Sequence, residues 1–119
     1  MNPRGYGYDI LFTVAVSKNL LTVGAVEDID EYTGPKSVVQ AEFSSWGPTD
    51  DWRIKPDLVA NGVDVYSADD TGKASYHVRS GTSMSSPVVA GTIALLQQHY
   101  HDLNNVYMKA DTVKVIKVS

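Results

Sequence analysis

The sequence predicts an α/β fold in which a buried strand and a thoroughly apolar helix share one core. The strand is predicted from the run LLTVGAV at residues 20–26, which has the length and the β-branched content of a buried strand. The helix is predicted from Val88 to Leu96, where every residue except Thr92 is apolar or small. A helix without a polar face belongs in the interior of a larger body. We therefore expect this helix to be covered on both sides, although the rest of this short chain offers few elements to cover it.

Size and composition indicate one small folded unit. The chain has 119 residues, of which 43% are hydrophobic and 20% charged, and these values suit a globular domain rather than a disordered segment. A net charge of −4 without any cluster of Lys or Arg argues against nucleic acid as a partner. The absence of Cys excludes disulfides, Cys nucleophiles and Cys-based zinc sites.

No segment has the character of a secretory signal or a membrane span. The apolar run ILFTVAV at residues 10–16 is too short to cross a bilayer, so we predict no membrane partner. The chain opens abruptly at Met1-Asn2-Pro3 and stops inside the patterned segment VKVIKVS. We expect both ends to be truncations and residues 1–119 to form part of a larger domain.

The other elements are predicted from local patterns. Short strands are expected on both sides of a tight turn at Asn61-Gly62, and a further strand is expected in SYHVRS at residues 75–80. Residues 38–43 could form a short strand, and residues 44–57 are a loop rich in turn signals. Residues 105–119 fit either a helix or a strand.

The segment RSGTSMSSPVVAG at residues 79–91 carries the chemistry. Ser83 lies at the junction between the expected strand and the apolar helix. The first N–H groups of a helix lack intrahelical partners. An oxyanion formed on Ser83 could therefore accept a hydrogen bond from the N–H of the same residue. The alternative is that Thr82, Ser83, Ser85 and Ser86 only cap the helix, because Ser and Thr are favoured N-caps. Composition and periodicity alone leave that alternative open.

The string SGTSMSSPVVAG closely resembles the Ser block of the subtilisin-like serine proteases. The matching residues are Gly81, Thr82, Ser83, Met84, Pro87, Val89, Ala90 and Gly91. Ser85 replaces the family's Ala, and Val88 replaces a frequent His. A second stretch, FSSWGPTDDWRIKPDLVANGVDVYSA, resembles the family segment that precedes the Ser block, with Asn61 in the position of a Pro.

This resemblance implies a fragment of the subtilase three-layer α/β fold, with a parallel sheet and a buried central helix that starts near Ser83. It implies that Ser83 is the nucleophile of a serine endopeptidase with a Ser-His-Asp triad, that Thr82 supports the loop and that the substrate is a polypeptide. It implies no redox or nucleotide cofactor, and an extracellular or cell-envelope location for the parent protein. The carboxylates of Asp69 and Asp70 are expected in surface turns, and no metal site is predicted.

The first residues resemble another block of the family. NPRGYGYD is similar to the sequence that follows the family's oxyanion Asn, so the resemblance implies that Asn2 donates its side-chain amide to the oxyanion. Met1 stands where the family has Gly. The alternative is that Asn2 is only a frayed terminal residue.

The Asp and His blocks of the family are not in this sequence. His77 precedes Ser83 on the expected strand, and His99 and His101 follow the helix. We therefore predict that the chain alone is inactive. As partners we expect either the missing N-terminal half of the catalytic domain or further copies of this chain, which would cover the apolar helix. One rival is a non-catalytic, self-associating subtilase-like module. Another is a serine hydrolase with a Gly-x-Ser-x-Gly elbow, which Ser85 in the fifth position disfavours.

Overall fold

A computed structural model describes residue 11 and residues 13–116. The strands are β1 (Val23–Val26), β2 (Leu58–Asn61), β3 (Val65–Ala68) and β4 (Tyr76–Arg79). The helices are α1 (Thr82–Asn104) and α2 (Ala110–Val115), and 3₁₀ turns cover Thr13–Val16 and Pro35–Ser37. The strand predicted within residues 20–26 and the helix predicted to begin near Ser83 are both confirmed. The ambiguous C-terminal segment contains the short helix α2.

The core forms where α1 packs against a parallel pair of strands. β1 and β2 run in the same direction, with Val23 opposite Leu58, and α1 contacts both. The buried apolar residues are Ala25, Val26, Ala41 and Met108. Parallel strands need a crossover connection, and here the long loop between β1 and β2 supplies it. This arrangement confirms the α/β class with a parallel sheet.

A buried ion pair fastens that loop to the start of β1. Lys55 Nζ lies 2.5 Å from Asp57 Oδ2, with the two side chains 4% and 11% exposed. Lys55 also donates to the carbonyl of Leu20, and Asp57 accepts from the backbone N–H of Thr22. The backbone N–H of Asp57 in turn donates to the Thr22 carbonyl. These contacts set β2 beside β1, because Asp57 immediately precedes β2.

The second sheet is an antiparallel pair that leads directly into α1. β3 and β4 pair with Val65 opposite Arg79, and the rings of Tyr66 and Tyr76 stack with centroids 5.3 Å apart. The strands expected on either side of Asn61-Gly62 therefore exist, but β2 and β3 belong to different sheets and do not form a hairpin with each other. The turn between them instead connects the two sheets.

One expectation about local structure is wrong. Residues 38–43 form only an isolated bridge between Gln40 and Val26, because the chain turns away after one contact with β1. Asp69 lies just after β3 near the surface, where its carboxylate pairs with Arg79 at 2.8 Å. Asp70 lies in the exposed turn, as expected.

The helix α1 is placed as predicted, but this chain covers only part of it. Ser85 is its one fully buried residue among those described, whereas Leu95 and Leu103 are each 70% exposed. The expected burial of the helix is therefore not reached within the described residues. At its far end, the Gln97 side chain holds both the N–H and the carbonyl of Met108, at 2.8 and 3.1 Å. In the described part of the chain, no helix is long and apolar enough to cross a membrane.

Candidate nucleophile site

Ser83 is the second residue of α1 and is exposed to solvent. The N-cap position belongs to Gly81, and no side chain makes a capping hydrogen bond there. The capping explanation for the Ser and Thr residues of this segment is therefore wrong. The hydroxyl of Ser83 makes one long contact, 3.5 Å to Met84 Sδ. Ser83 thus lies on the first turn of a helix with an accessible hydroxyl and no capping role.

The helix start offers backbone donors beside this hydroxyl. The first four N–H groups of an α-helix lack intrahelical acceptors and carry the positive end of the helix dipole. The N–H of Ser83 belongs to that group, since the helix begins at Thr82. Pro87 lies beyond the first turn. Because proline has no N–H, it cannot donate the usual helical hydrogen bond to the Ser83 carbonyl. An anionic oxygen bonded to Ser83 would meet a donor of suitable polarity.

The sheet determines where this helix start lies. The N–H of Gly81 donates to the carbonyl of Gly62 at 2.8 Å, and the Gly81 carbonyl accepts from Met84 at 3.0 Å. Gly62 is buried at the end of β2, and a Cβ there would lie 2.7 Å from Ala25 Cβ and 2.9 Å from the Gly81 carbonyl oxygen. Only glycine therefore allows this approach of β2 to the Ser83 turn.

The other predicted site residues are placed less tightly. Thr82 is exposed, and its carbonyl accepts from the Ser86 hydroxyl at 3.2 Å. Its supporting role stays a prediction. Asn2, the predicted oxyanion donor, lies outside the described residues.

None of the three histidines is hydrogen-bonded to Ser83. His77 lies on β4 with its side chain exposed. His99 and His101 lie on α1, which puts them roughly 24 and 27 Å from Ser83 along the helix axis at 1.5 Å per residue. The ring of His101 stacks on Tyr107 with centroids 4.4 Å apart. In the described residues, the structure brings no imidazole to the hydroxyl of Ser83.

Two carboxylates near the surface have lowered pKa values. Hydrogen bonds from Arg79 and then Thr71 lower the pKa of Asp69, and the same ion pair raises the pKa of Arg79. Arg79 precedes Ser83 by four residues, so this pair braces the end of β4. Hydrogen bonds from Arg53 and Thr49 lower the pKa of Asp51 to about 2. The described residues contain no group of three or more His, Asp or Glu that could hold a metal.

Sequence reasoning did not find one set of contacts at this site. Asp64 and Ser80 are 16 positions apart and bind each other through backbone and side chain. Asn61, which is predicted to form a tight turn with Gly62, accepts from the N–H of Val63 at 3.0 Å. Asn before Gly signals a turn, but nothing in the sequence indicates which segment the turn would contact.

Comparison with known proteins agrees with the geometry. The family model described as Subtilase family matches residues 9–117. The C5a peptidase of Streptococcus pyogenes serotype M18 is 52% identical over 60 residues, which cover 50% of this chain and 5% of that protein. The serine protease AprX of Bacillus subtilis is 39% identical over 100 residues, which cover 74% of this chain and 22% of AprX. The PII-type proteinase of Lactococcus lactis subsp. cremoris is 38% identical over 77 residues, covering 65% of this chain and 4% of that protein.

A solved structure supports the same relationship. The CspB protease of Clostridium perfringens superposes with a TM-score of 0.59 at 33% identity, covering 76% of this chain and 18% of that one. The α/β unit of this chain is thus shared with a protease of known structure. The chain belongs to the subtilase family. It spans between 4% and 22% of the length of these three curated relatives.

Proposed function

We propose that Ser83 is the nucleophile of a serine endopeptidase and that this chain is the part of the catalytic domain that carries it. The observation that supports this best is the position of Ser83, exposed on the first turn of α1, where its own N–H has no acceptor within the helix. The substrate is a polypeptide. Membership of the subtilase family supports this reaction class, and serine proteases are among the relatives.

The reaction assigns a role to each available group. The Ser83 oxygen attacks the carbonyl carbon of the scissile peptide bond, and its proton passes to a histidine base. The oxyanion accepts from the backbone N–H of Ser83 and, as we propose, from the side-chain amide of Asn2. Collapse of this intermediate breaks the C–N bond, and the histidine proton goes to the leaving amine. Water then hydrolyses the acyl-enzyme with the histidine again acting as base.

We further propose that the base and its orienting Asp come from a polypeptide segment outside these 119 residues. The separation of His99 and His101 from Ser83 along α1 supports this, as does the lack of a hydrogen bond from His77. In subtilisin, loss of the histidine alone lowers turnover by about 10⁶-fold. The isolated chain should therefore hydrolyse peptides negligibly. An extracellular or cell-envelope location of the parent protein belongs to the same proposal.

A fluorophosphonate probe tests both parts. The isolated chain and a chimaera, in which the matching 74% of this chain replaces its counterpart in AprX, are each compared with their Ser83→Ala variants. We expect Ser83-dependent labelling in the chimaera and none in the isolated chain. Ser83-dependent labelling of the isolated chain would overturn the requirement for an external base. A folded chimaera that is not labelled at Ser83 would overturn its role as nucleophile.

A second candidate function is that of a self-associating subtilase-like module. Leu95 and Leu103 are largely exposed on α1. An apolar groove of about 220 Å³ also lies between α1, β2 and α2. Exposed apolar surface of this kind marks a contact surface, and a second copy of this chain would cover part of it.

Sedimentation equilibrium of the chain decides between these candidates. Self-association predicts a dimer or larger assembly at micromolar concentration that Leu95→Glu and Leu103→Glu dissociate. Ile54→Glu is the control, because Ile54 is exposed on the loop before β2 and does not line the groove. A compact monomer at all concentrations contradicts the self-associating module.

A further inference from the structure

We infer that Asp64 is a positioning residue for Ser83, acting through the turn that joins β2 to β3. This turn, which we call the positioning turn, consists of residues 61–64. The inference rests on the proposed role of Ser83 as nucleophile. It assigns to the positioning turn the task of holding the backbone from which the nucleophile projects.

The positioning turn is anchored to the sheet and has a defined shape. The N–H of Gly62 donates to the carbonyl of Val26 at 3.0 Å, which ties the turn to the end of β1. The side-chain oxygen of Asn61 accepts from the N–H of Val63 at 3.0 Å. Such an Asx-type bond restricts the backbone of the turn. Asn61 occupies the position of a Pro in the family pattern, so its side-chain hydrogen bond restricts the backbone where the family has a proline ring.

Three hydrogen bonds connect the positioning turn to the residues just before Ser83. The N–H of Asp64 donates to Ser80 Oγ at 2.9 Å, and that hydroxyl donates to Asp64 Oδ1 at 3.2 Å. The N–H of Gly81 donates to the Gly62 carbonyl at 2.8 Å. The ladder between β3 and β4 ends at Arg79, so these bonds take over where strand pairing stops.

The same contacts reach Ser83 through the backbone. Gly81 is held by Gly62, and its own carbonyl accepts from Met84, so the bonds to Gly81 and Met84 flank Ser83 on both sides. The Ser83 hydroxyl itself makes only the long contact to Met84 Sδ. Its position therefore depends on the backbone contacts and not on its own side chain. Displacing a reacting group by about 1 Å can cost on the order of 10²-fold in rate.

The conformation of Asp64 supports a dedicated role. Its φ is 52°, in the left-handed region that most residues avoid and that Asp and Asn tolerate better than others. Asp64 is also exposed, so packing does not require it. Asp64 is thus exposed, has a left-handed backbone and makes two hydrogen bonds to Ser80. These features indicate that it positions the Ser80 segment and does not stabilise the core.

The first experiment measures backbone position in the 119-residue chain by ¹⁵N–¹H NMR. In Asp64→Ala we expect shifted amide resonances of Gly81 and Ser83 and at least 10-fold faster hydrogen exchange of the Gly81 N–H. Asp64→Asn keeps a side-chain acceptor and the left-handed conformation, so it should restore both readouts. Ser67→Ala, which removes an exposed hydroxyl from β3, is the control and should change neither.

Ser80→Ala is the independent variant, because it removes both bonds to Asp64 without changing the backbone of the positioning turn. It should shift the Ser83 amide as Asp64→Ala does, and it gives the answer if Asp64→Ala does not fold. Unchanged Gly81 and Ser83 resonances in Ser80→Ala would overturn the inference. So would an Asp64→Asn variant that behaves like Asp64→Ala.

The second experiment measures kcat and KM for peptide hydrolysis by the AprX chimaera. Asp64→Ala should lower kcat by about 10-fold with KM unchanged, since only the geometry of the nucleophile is altered, and Asp64→Asn should recover it. Unchanged kcat in a variant whose Ser83 amide has shifted would overturn the positioning role. A chimaera that is inactive even with Asp64 intact would instead count against the proposed nucleophile, while the NMR experiment would still report on the turn.

Discussion

Ser85 is the least satisfied polar residue of the Ser83 segment. Its side chain is 0% exposed, and its hydroxyl has no hydrogen-bond partner within the described part of the chain. Gly62 lies next to it, and a Cβ on Gly62 would collide with this hydroxyl oxygen. A buried polar group left without a partner costs about 1–3 kcal/mol. The family pattern has Ala at this position, which would avoid that cost.

Replacing this hydroxyl should therefore stabilise the protein. Ser85→Ala should raise the free energy of unfolding, measured by urea denaturation, by about 1 kcal/mol. Ser86→Ala is the matched control, because Ser86 is the next residue and is exposed, and a surface change of this kind stays within about 0.5 kcal/mol. A Ser85→Ala variant less stable than the wild type would show that the hydroxyl contributes favourably.

At the scale of elements, two glycines have opposite roles. Gly62 joins β2 to the start of α1, and an added Cβ would collide with Ala25 and Gly81. Gly91 lies within α1, and a Cβ there would meet nothing within 4 Å. We expect Gly62→Ala to lower the free energy of unfolding by about 1–3 kcal/mol through overpacking. Gly91→Ala should raise it by about 0.5–1 kcal/mol, because Ala is the better helix former.

The two substitutions control each other, since both add one methyl group. Both are measured by urea denaturation. If the dependence of the unfolding free energy on urea concentration is the same in both variants, a shift of the midpoint reports a change in stability and not in the unfolded state. If both variants changed stability in the same direction, the structural distinction between the two glycines would be contradicted.

The pair of Lys55 and Asp57 links the long loop to β1. Lys55→Met leaves the buried Asp57 carboxylate without its cation, and breaking such a pair costs about 3–5 kcal/mol. Asp57 keeps its hydrogen bond from the Thr22 N–H, so we expect the free energy of unfolding, measured by urea denaturation, to fall by about 3 kcal/mol. The double variant Lys55→Met with Asp57→Leu should recover most of this loss. If Lys55→Met lost less than about 0.5 kcal/mol, as an ordinary surface substitution does, the ion pair would not contribute to stability as expected.

For the whole molecule, acid should weaken the fold through Asp51 and Asp69. The folded-state pKa of each is lowered by an arginine partner, so each stabilises the protein above the ordinary pKa of 3.8. That stability is lost as the pH falls below 3.8, towards about 2 in the case of Asp51. Thermal denaturation between pH 5 and pH 2 should therefore show a falling Tm.

Variants without these carboxylates test the assignment. Asp51→Asn with Asp69→Asn should flatten the pH dependence of Tm in this window, whereas the exposed neighbour Asp50, changed to Asn, should leave it as in the wild type. An equally steep decline in the double variant would assign the acid sensitivity to other carboxylates.

The sequence by itself determined the local elements and the family. The runs that became β1 and α1 were recognisable because strand and helix periodicity depend on neighbouring residues. The string around Ser83 indicated the same family that the comparisons found. The prediction failed where only one contact decided the outcome, as at residues 38–43, which make a single bridge to Val26.

The tertiary structure decided which distant residues meet. Lys55 binds the carbonyl of Leu20, 35 positions away, and Asp64 binds Ser80 across 16 positions. Local patterns carry no information about such pairs, because they form only when separate segments are brought together by the core. The structure also determined that the Gly81 N–H meets the Gly62 carbonyl. The identity of Ser83 was therefore available from sequence, whereas the contacts that hold it in position depend on the packing of α1 against the parallel strands.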